Sequence, residues 1–105
     1  MIKVTFLYPN RPGSRFDADY YIGVHMPLAI RLLKPALKAV SAEIGLSSAM
    51  PGQPPPNAAI ATFTFDSVQA FSEAVMPHYA ELQGDIPNYT DIEPIVQISE
   101  MRISD

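Results

Sequence analysis

The chain has 105 residues, 48% of them hydrophobic and 17% charged, with a formal net charge of −4. That length and balance suit one folded domain with one core and exclude a disordered chain. The seven basic residues are scattered, which excludes nucleic acid and anionic membrane as partners, and the absence of cysteine excludes disulfides, zinc–thiolate sites, iron–sulfur clusters and a thiol nucleophile.

The start, Met1-Ile2-Lys3-Val4-Thr5, has no long apolar stretch of the signal-peptide kind. No run approaches the ~18 apolar residues of a membrane helix. The expected location is the cytoplasm. The low share of charge also leaves room for a surface hidden between copies of the chain.

Residues 2–8 alternate, with Ile2, Val4, Phe6 and Tyr8 on one face and Lys3, Thr5 and Leu7 on the other, which predicts a strand. Pro9-Asn10-Arg11-Pro12-Gly13-Ser14 ends it in a loop. A helix follows. Asp17 suits its N-cap, and Phe16 and Tyr21 stand at the two positions of a hydrophobic staple. Tyr21, Val24, Leu28 and Leu32 form the expected apolar stripe. Pro27 lacks a backbone donor and crowds the carbonyl of Gly23, so a kink is expected near His25. Pro35 limits the helix at about Lys34.

Residues 37–46 read as a second strand, and 47–57 as a loop of polyproline character. Residues 58–65 read as a third strand. A second helix opens at Asp66, which is expected to cap it with Gln69 reaching back, and carries Phe71, Val75, Tyr79 and Leu82 on one side. Pro77 threatens its interior, and Gly84 is the expected stop. Residues 92–101 alternate again and predict a fourth strand, with Pro94 near its start.

The order β-α-β-β-α-β predicts an α+β, ferredoxin-like domain: a four-stranded antiparallel sheet with two helices on one face. Thr5, Leu7, Ile60 and Ile98, or their strand neighbours, would lie on the bare face. Two such faces stacked in a homodimer would cover the patch, and the tail 99–105 could reach into the partner.

The segments Ile2-Lys3-Val4-Thr5-Phe6-Leu7-Tyr8-Pro9, Phe16-Asp17-x-x-Tyr20-Tyr21-x-x-x-His25-Met26-Pro27-Leu28 and Ile86-Pro87-Asn88-Tyr89-Thr90-Asp91-Ile92 resemble the EthD family over essentially the whole chain. The resemblance implies a single EthD-like domain over residues 1–105, a dimeric α/β barrel, and a pocket between sheet and helices. The family is tied by name and neighbourhood to oxidative degradation of an ether fuel additive. Relatives on the same architecture include cofactor-free monooxygenases, polyketide cyclases, lactone isomerases and haem-handling enzymes, so the fold does not select the reaction.

His25 is the leading catalytic candidate, because imidazole is the side chain suited to moving protons near neutral pH and Tyr21 shares its helix face. It could equally be a packed histidine bracing the helix against the Asn88-Tyr89 loop. Tyr21 and Tyr20 could donate phenol hydrogen bonds to a bound oxygen, or pack in the core with a polar tip. Asn88 could bind substrate or simply form a turn, and Tyr89 could close a pocket mouth over His25. A carboxylate beside His25 would fix its tautomer, and Asp85 and Asp91 are the two nearest in the loop, though spacing alone brings neither close. His78 reads as a surface residue. No metal constellation, glycine-rich phosphate loop or nucleophile elbow is present, so no cofactor and no metal are expected.

Two functions follow from these residues. One is a cofactor-independent enzyme acting on a small hydrophobic, aromatic or carbonyl compound, with His25 shuttling a proton and Tyr21, Tyr89 and Asn88 binding substrate. The other is a non-catalytic homodimer that binds a ligand or supports an oxygenase.

Overall fold

The computed structural model describes residues 1–104. Four strands, β1 (Ile2–Pro9), β2 (Ala39–Ile44), β3 (Asn57–Phe65) and β4 (Ile95–Glu100), form one sheet in the order β2-β3-β1-β4. Every neighbouring pair is antiparallel. β1 and β2 therefore run parallel with β3 between them, as the β-α-β-β-α-β order requires. Among the described residues no helix is long and apolar enough to cross a membrane.

The register fixes the two faces. Val4 stands opposite Phe63 and Ile98, Phe6 opposite Ala61 and Val96, and Tyr8 opposite Ala59. Val4, Tyr8, Ala59, Ala61, Phe63 and Phe65 are buried on this face in one cluster with Tyr21, Met26, Ala29 and Leu33 of the first helical run. Each large side chain so buried contributes about 1.5–3 kcal/mol.

The opposite face carries Thr5, Leu7, Ile60 and Thr62, all partly exposed. Ile98 does not belong there. Its place opposite Val4 puts it on the helix side, and Ile95 and Gln97 take the bare-face positions opposite Leu7 and Thr5. A shift of one residue reverses every side chain of a strand, and β4 starts at Ile95 rather than Ile92. Of the tail, Ser99 and Glu100 complete β4, and Asp105 lies outside the described residues.

The first helical run, 18–33, has three parts: α1 (Ala18–Tyr20), a π-helical turn (Tyr21–His25) and α2 (Met26–Leu33). Asp17 caps it, its carboxylate accepting from the Tyr20 N–H at 3.1 Å. The staple forms too, with the Phe16 and Tyr21 rings 5.0 Å apart. The run ends where Pro35 predicts, Lys34 turning to extended geometry. The buried stripe is not the expected one. Tyr21, His25, Met26, Ala29 and Leu33 face inward, while Val24 is 48% exposed and Leu28 and Leu32 are only half-buried. A π turn is wider than an α turn, so the residues after it rotate relative to an ideal 3.6-residue period.

The second run, 68–85, comprises α3 (Val68–Val75), a 3-10 turn (Met76–His78) at Pro77, and α4 (Tyr79–Asp85). Its cap is Ser67 rather than Asp66. The serine hydroxyl accepts from the Ala70 N–H at 3.0 Å, and Asp66 instead faces Lys38 at 3.6 Å in an exposed pair. Gln69 does not reach back but donates to Glu73. Nor does Gly84 stop the helix, which continues through Asp85 into a 3-10 turn (Ile86–Asn88).

One glycine is fixed by space. At Gly45 an added Cβ would collide with the Asn57 carbonyl and the Pro55 ring, where the polyproline loop returns against the end of β2. Gly45→Ala is expected to destabilise the protein by ~1–3 kcal/mol, and Ser67→Ala by ~0.5–2 kcal/mol through loss of the cap. Urea midpoints at constant slope check both; an unchanged midpoint in Gly45→Ala would show that the loop can move away at no cost.

Candidate functional site

Pro27 shapes the first run where the chemistry gathers. In a continuous α-helix the partner of the Gly23 carbonyl would be the N–H that Pro27 lacks. The chain instead widens: the Met26 N–H reaches back five residues to the Tyr21 carbonyl. His25, the last residue of this turn, is 8% exposed. Its ring stacks on Tyr21 at 5.8 Å between centroids and 13° between planes, and lies 4.6 Å from the Tyr89 ring.

The end of the second run supplies a carboxylate. Asp85 Oδ2 is 2.8 Å from His25 Nδ1. Its Oδ1 accepts from the Tyr20 hydroxyl at 2.6 Å and from Asn88 Nδ2 at 2.9 Å. Burial alone would push the Asp85 pKa up, but hydrogen bonds from Tyr20, Asn88 and His25 outweigh it and hold the pKa below its ordinary value. An ionised carboxylate only accepts, so neutral His25 carries its proton on Nδ1 and donates it to Asp85. That leaves Nε2 as the nitrogen with a lone pair. Nε2 makes no hydrogen bond among the described residues, and none of their side-chain nitrogens or oxygens is both sealed from solvent and unpartnered. Nε2 is therefore accessible.

His25 lines a cavity of about 240 Å3 between sheet and helices. Phe6, Phe63, Leu33, Phe71 and Leu82 form much of the apolar wall, and Tyr8, Tyr21 and His25 are the polar groups at the buried end. Tyr79 and Gln83, both exposed, stand at the mouth. The hydroxyls of Tyr8 and Tyr89 are 2.8 Å apart. Burial pushes the pKa values of Tyr8, Tyr21 and Tyr89 up, so all three phenols stay protonated across the physiological range. Among the described residues no group of three or more His, Asp or Glu side chains is placed to hold a metal ion.

Of the residues singled out in the sequence, His25 and Tyr21 line the cavity. Tyr89 is fully buried behind them and reaches the cavity through Tyr8 and His25, not at its mouth. Asn88 does not line the cavity but holds Asp85. His78, on its 3-10 turn, is outside the lining. Asp91 is occupied elsewhere, accepting from the Arg15 N–H at 2.8 Å. Sequence reasoning missed Tyr8, although its place at the inward end of an alternating strand was a signal. It left Asp85 open, because no spacing rule links residues sixty positions apart.

The structural comparisons agree with the fold. A family model described as EthD domain matches residues 14–93. An EthD-like protein from Ralstonia eutropha JMP134 is 42% identical, with 99% of this chain and 94% of that chain covered and a TM-score of 0.94. An ethyl tert-butyl ether d (EthD) family protein from Bacillus halodurans C-125 is 15% identical over 97% of this chain and 99% of its own, TM-score 0.68. An antibiotic biosynthesis monooxygenase shares the fold at 15% identity over 98% of this chain and all of its own (100%), TM-score 0.54. No curated protein matches the sequence.

The lowered pKa of Asp85 sets a pH dependence. Unfolded aspartate titrates near ~3.9, above the folded value, so the ionised group contributes stability above that pH and loses it as pH falls through the folded value. Wild type should therefore exceed Asp85→Asn in urea midpoint at pH 6, with the gap closing below about pH 4. A gap that is flat from pH 6 to pH 3 would show that the carboxylate charge contributes nothing.

Proposed function

The chain belongs to the EthD domain family, and on that premise we propose that it is a cofactor-independent enzyme acting on a small hydrophobic aromatic or carbonyl compound, with His25 as proton shuttle. The observation that carries this reading is the Asp85–His25 pair set in the wall of an apolar cavity. A buried histidine needed only for packing would have no call for an ionised partner that leaves its second nitrogen accessible.

Asp85 holds the Nδ1–H tautomer, so Nε2 takes a proton from a bound substrate and later returns it. The carboxylate then stabilises the imidazolium that forms. Tyr21 binds and orients the substrate at the same end of the cavity. Tyr89 and Asn88 act through other residues: Tyr89 packs the His25 ring and holds the Tyr8 hydroxyl, and Asn88 holds Asp85. Apolar walls supply affinity at ~25 cal/mol per Å2 buried. In this reading the protein serves a catabolic or oxidative pathway, as membership of the EthD family suggests.

The protein acts as a homodimer in this reading. Leu7, Ile60 and Ile95 lie on the sheet face away from the helices, and a second copy would cover them.

Two experiments test this. Ligand co-purified with the protein from its native host is identified by mass spectrometry and turned over in D2O. His25→Ala should lower the rate ~10²–10⁴-fold, the usual worth of a general base, while the dimer stays folded. Turnover that survives the substitution, with only the melting temperature lowered, makes His25 structural and the protein a binder or scaffold. For the second experiment, sedimentation at micromolar concentration should show a dimer that Ile60→Lys converts to monomer; a wild-type monomer would remove the assembly from the proposal.

A further inference from the structure

Within the cavity the kinds of polar group present define what it can hold. Among the described residues lining it there is no lysine, arginine, aspartate or glutamate. Its buried polar groups are two phenols, Tyr8 and Tyr21, and the His25 imidazole. An anion placed there would lose its hydration and meet no cation in return, a cost of several kcal/mol per charge. An imidazolium at His25 would be matched by the Asp85 carboxylate 2.8 Å away, so the pair brings no net positive charge to a ligand that arrives as an anion. No lining residue carries a negative charge, so a ligand cation would find only ring faces to offset its lost hydration.

The phenols are suited to one oxygen acceptor. Tyr8 and Tyr89 share a single hydrogen bond between their hydroxyls. When Tyr89 donates, the Tyr8 proton is left for a ligand. The Tyr21 hydroxyl faces that of Tyr8 across more than 3.5 Å, a long and weak interaction, and it is not sealed off, so a ligand oxygen between the two can draw its proton away. Both phenols are kept neutral by burial and therefore donate.

We propose that the cavity selects a small uncharged ligand whose single carbonyl oxygen is received by the hydroxyls of Tyr8 and Tyr21, and that it rejects carboxylates and phosphate esters. This deepens the enzymatic reading and rests on it only for the consequence that the bound carbonyl lies beside His25.

Three isosteric probes separate the terms: acetophenone, which carries the carbonyl; benzoate, which replaces its methyl by a charged oxygen; and isopropylbenzene, which has neither. Binding to the wild-type protein is followed at pH 7.5 by tyrosine and methyl chemical shifts. Acetophenone should bind at least tenfold more tightly than either analogue. The preference over isopropylbenzene should fall several-fold in Tyr21→Phe and in Tyr8→Phe, each of which removes only a hydroxyl. In His25→Ala the preference should persist, which separates this inference from the proton-shuttle role: loss of turnover there with binding retained supports both. Benzoate binding as tightly as acetophenone, a preference unchanged by both phenylalanine variants, or no binding by any probe would each overturn the proposal.

Discussion

One carboxylate ties the two helical runs together. Asp85 closes the second run, yet its oxygens receive Tyr20 and His25 from the first and Asn88 from the turn just beyond. A half-buried charge is costly unless its lone pairs are filled, and here three donors fill them. The consequence is geometric. The angle at which the runs meet over the sheet, and so the space left between them, is set where they are pinned. Removing the pin would leave the sheet intact and the cavity ill-defined.

The widened turn at Tyr21–His25 works with that pin. A proline inside a helix usually marks a kink, and the sequence suggests one near His25. The irregularity falls there: the Met26 N–H reaches five residues back to the Tyr21 carbonyl, so the turn just ahead of Pro27 is widened. Tyr21, His25, Ala29 and Leu33 then stay on the inner face at strict four-residue spacing. Tyr21 and His25 come from the widened turn, and Ala29 and Leu33, with Met26, from the regular helix that follows. In this widened turn an imidazole and a phenol, four residues apart, stack side by side at the buried end of the cavity.

Much of this fold was legible because strand alternation, the Asp17 cap and the Phe16–Tyr21 staple are local signals, each complete within a few residues. The failures share a cause. Which face Ile98 occupies depends on register with β1, ninety residues away, and which aspartate meets His25 depends on how two runs cross. Ser67 displaced Asp66 as cap by one position, a distinction between two good capping residues that propensity does not resolve. For the candidate site, His25 and Tyr21 stood out by type and spacing. Tyr8, on a strand, and Asp85, at a helix end, became visible only when distant segments were brought together.

The strand order carries a consequence for biosynthesis. β1 lies at the centre of the sheet, between β3 and β4. It leaves the ribosome before either neighbour exists, with Val4, Phe6 and Tyr8 on one side and two unsatisfied backbone edges. Its first partner arrives only after the first helical run and β2 have been made, and its second only with the final strand. Through that interval its apolar side chains and unpaired backbone edges are open to pairing with other nascent chains, so the yield of the domain depends on how soon β3 and β4 arrive.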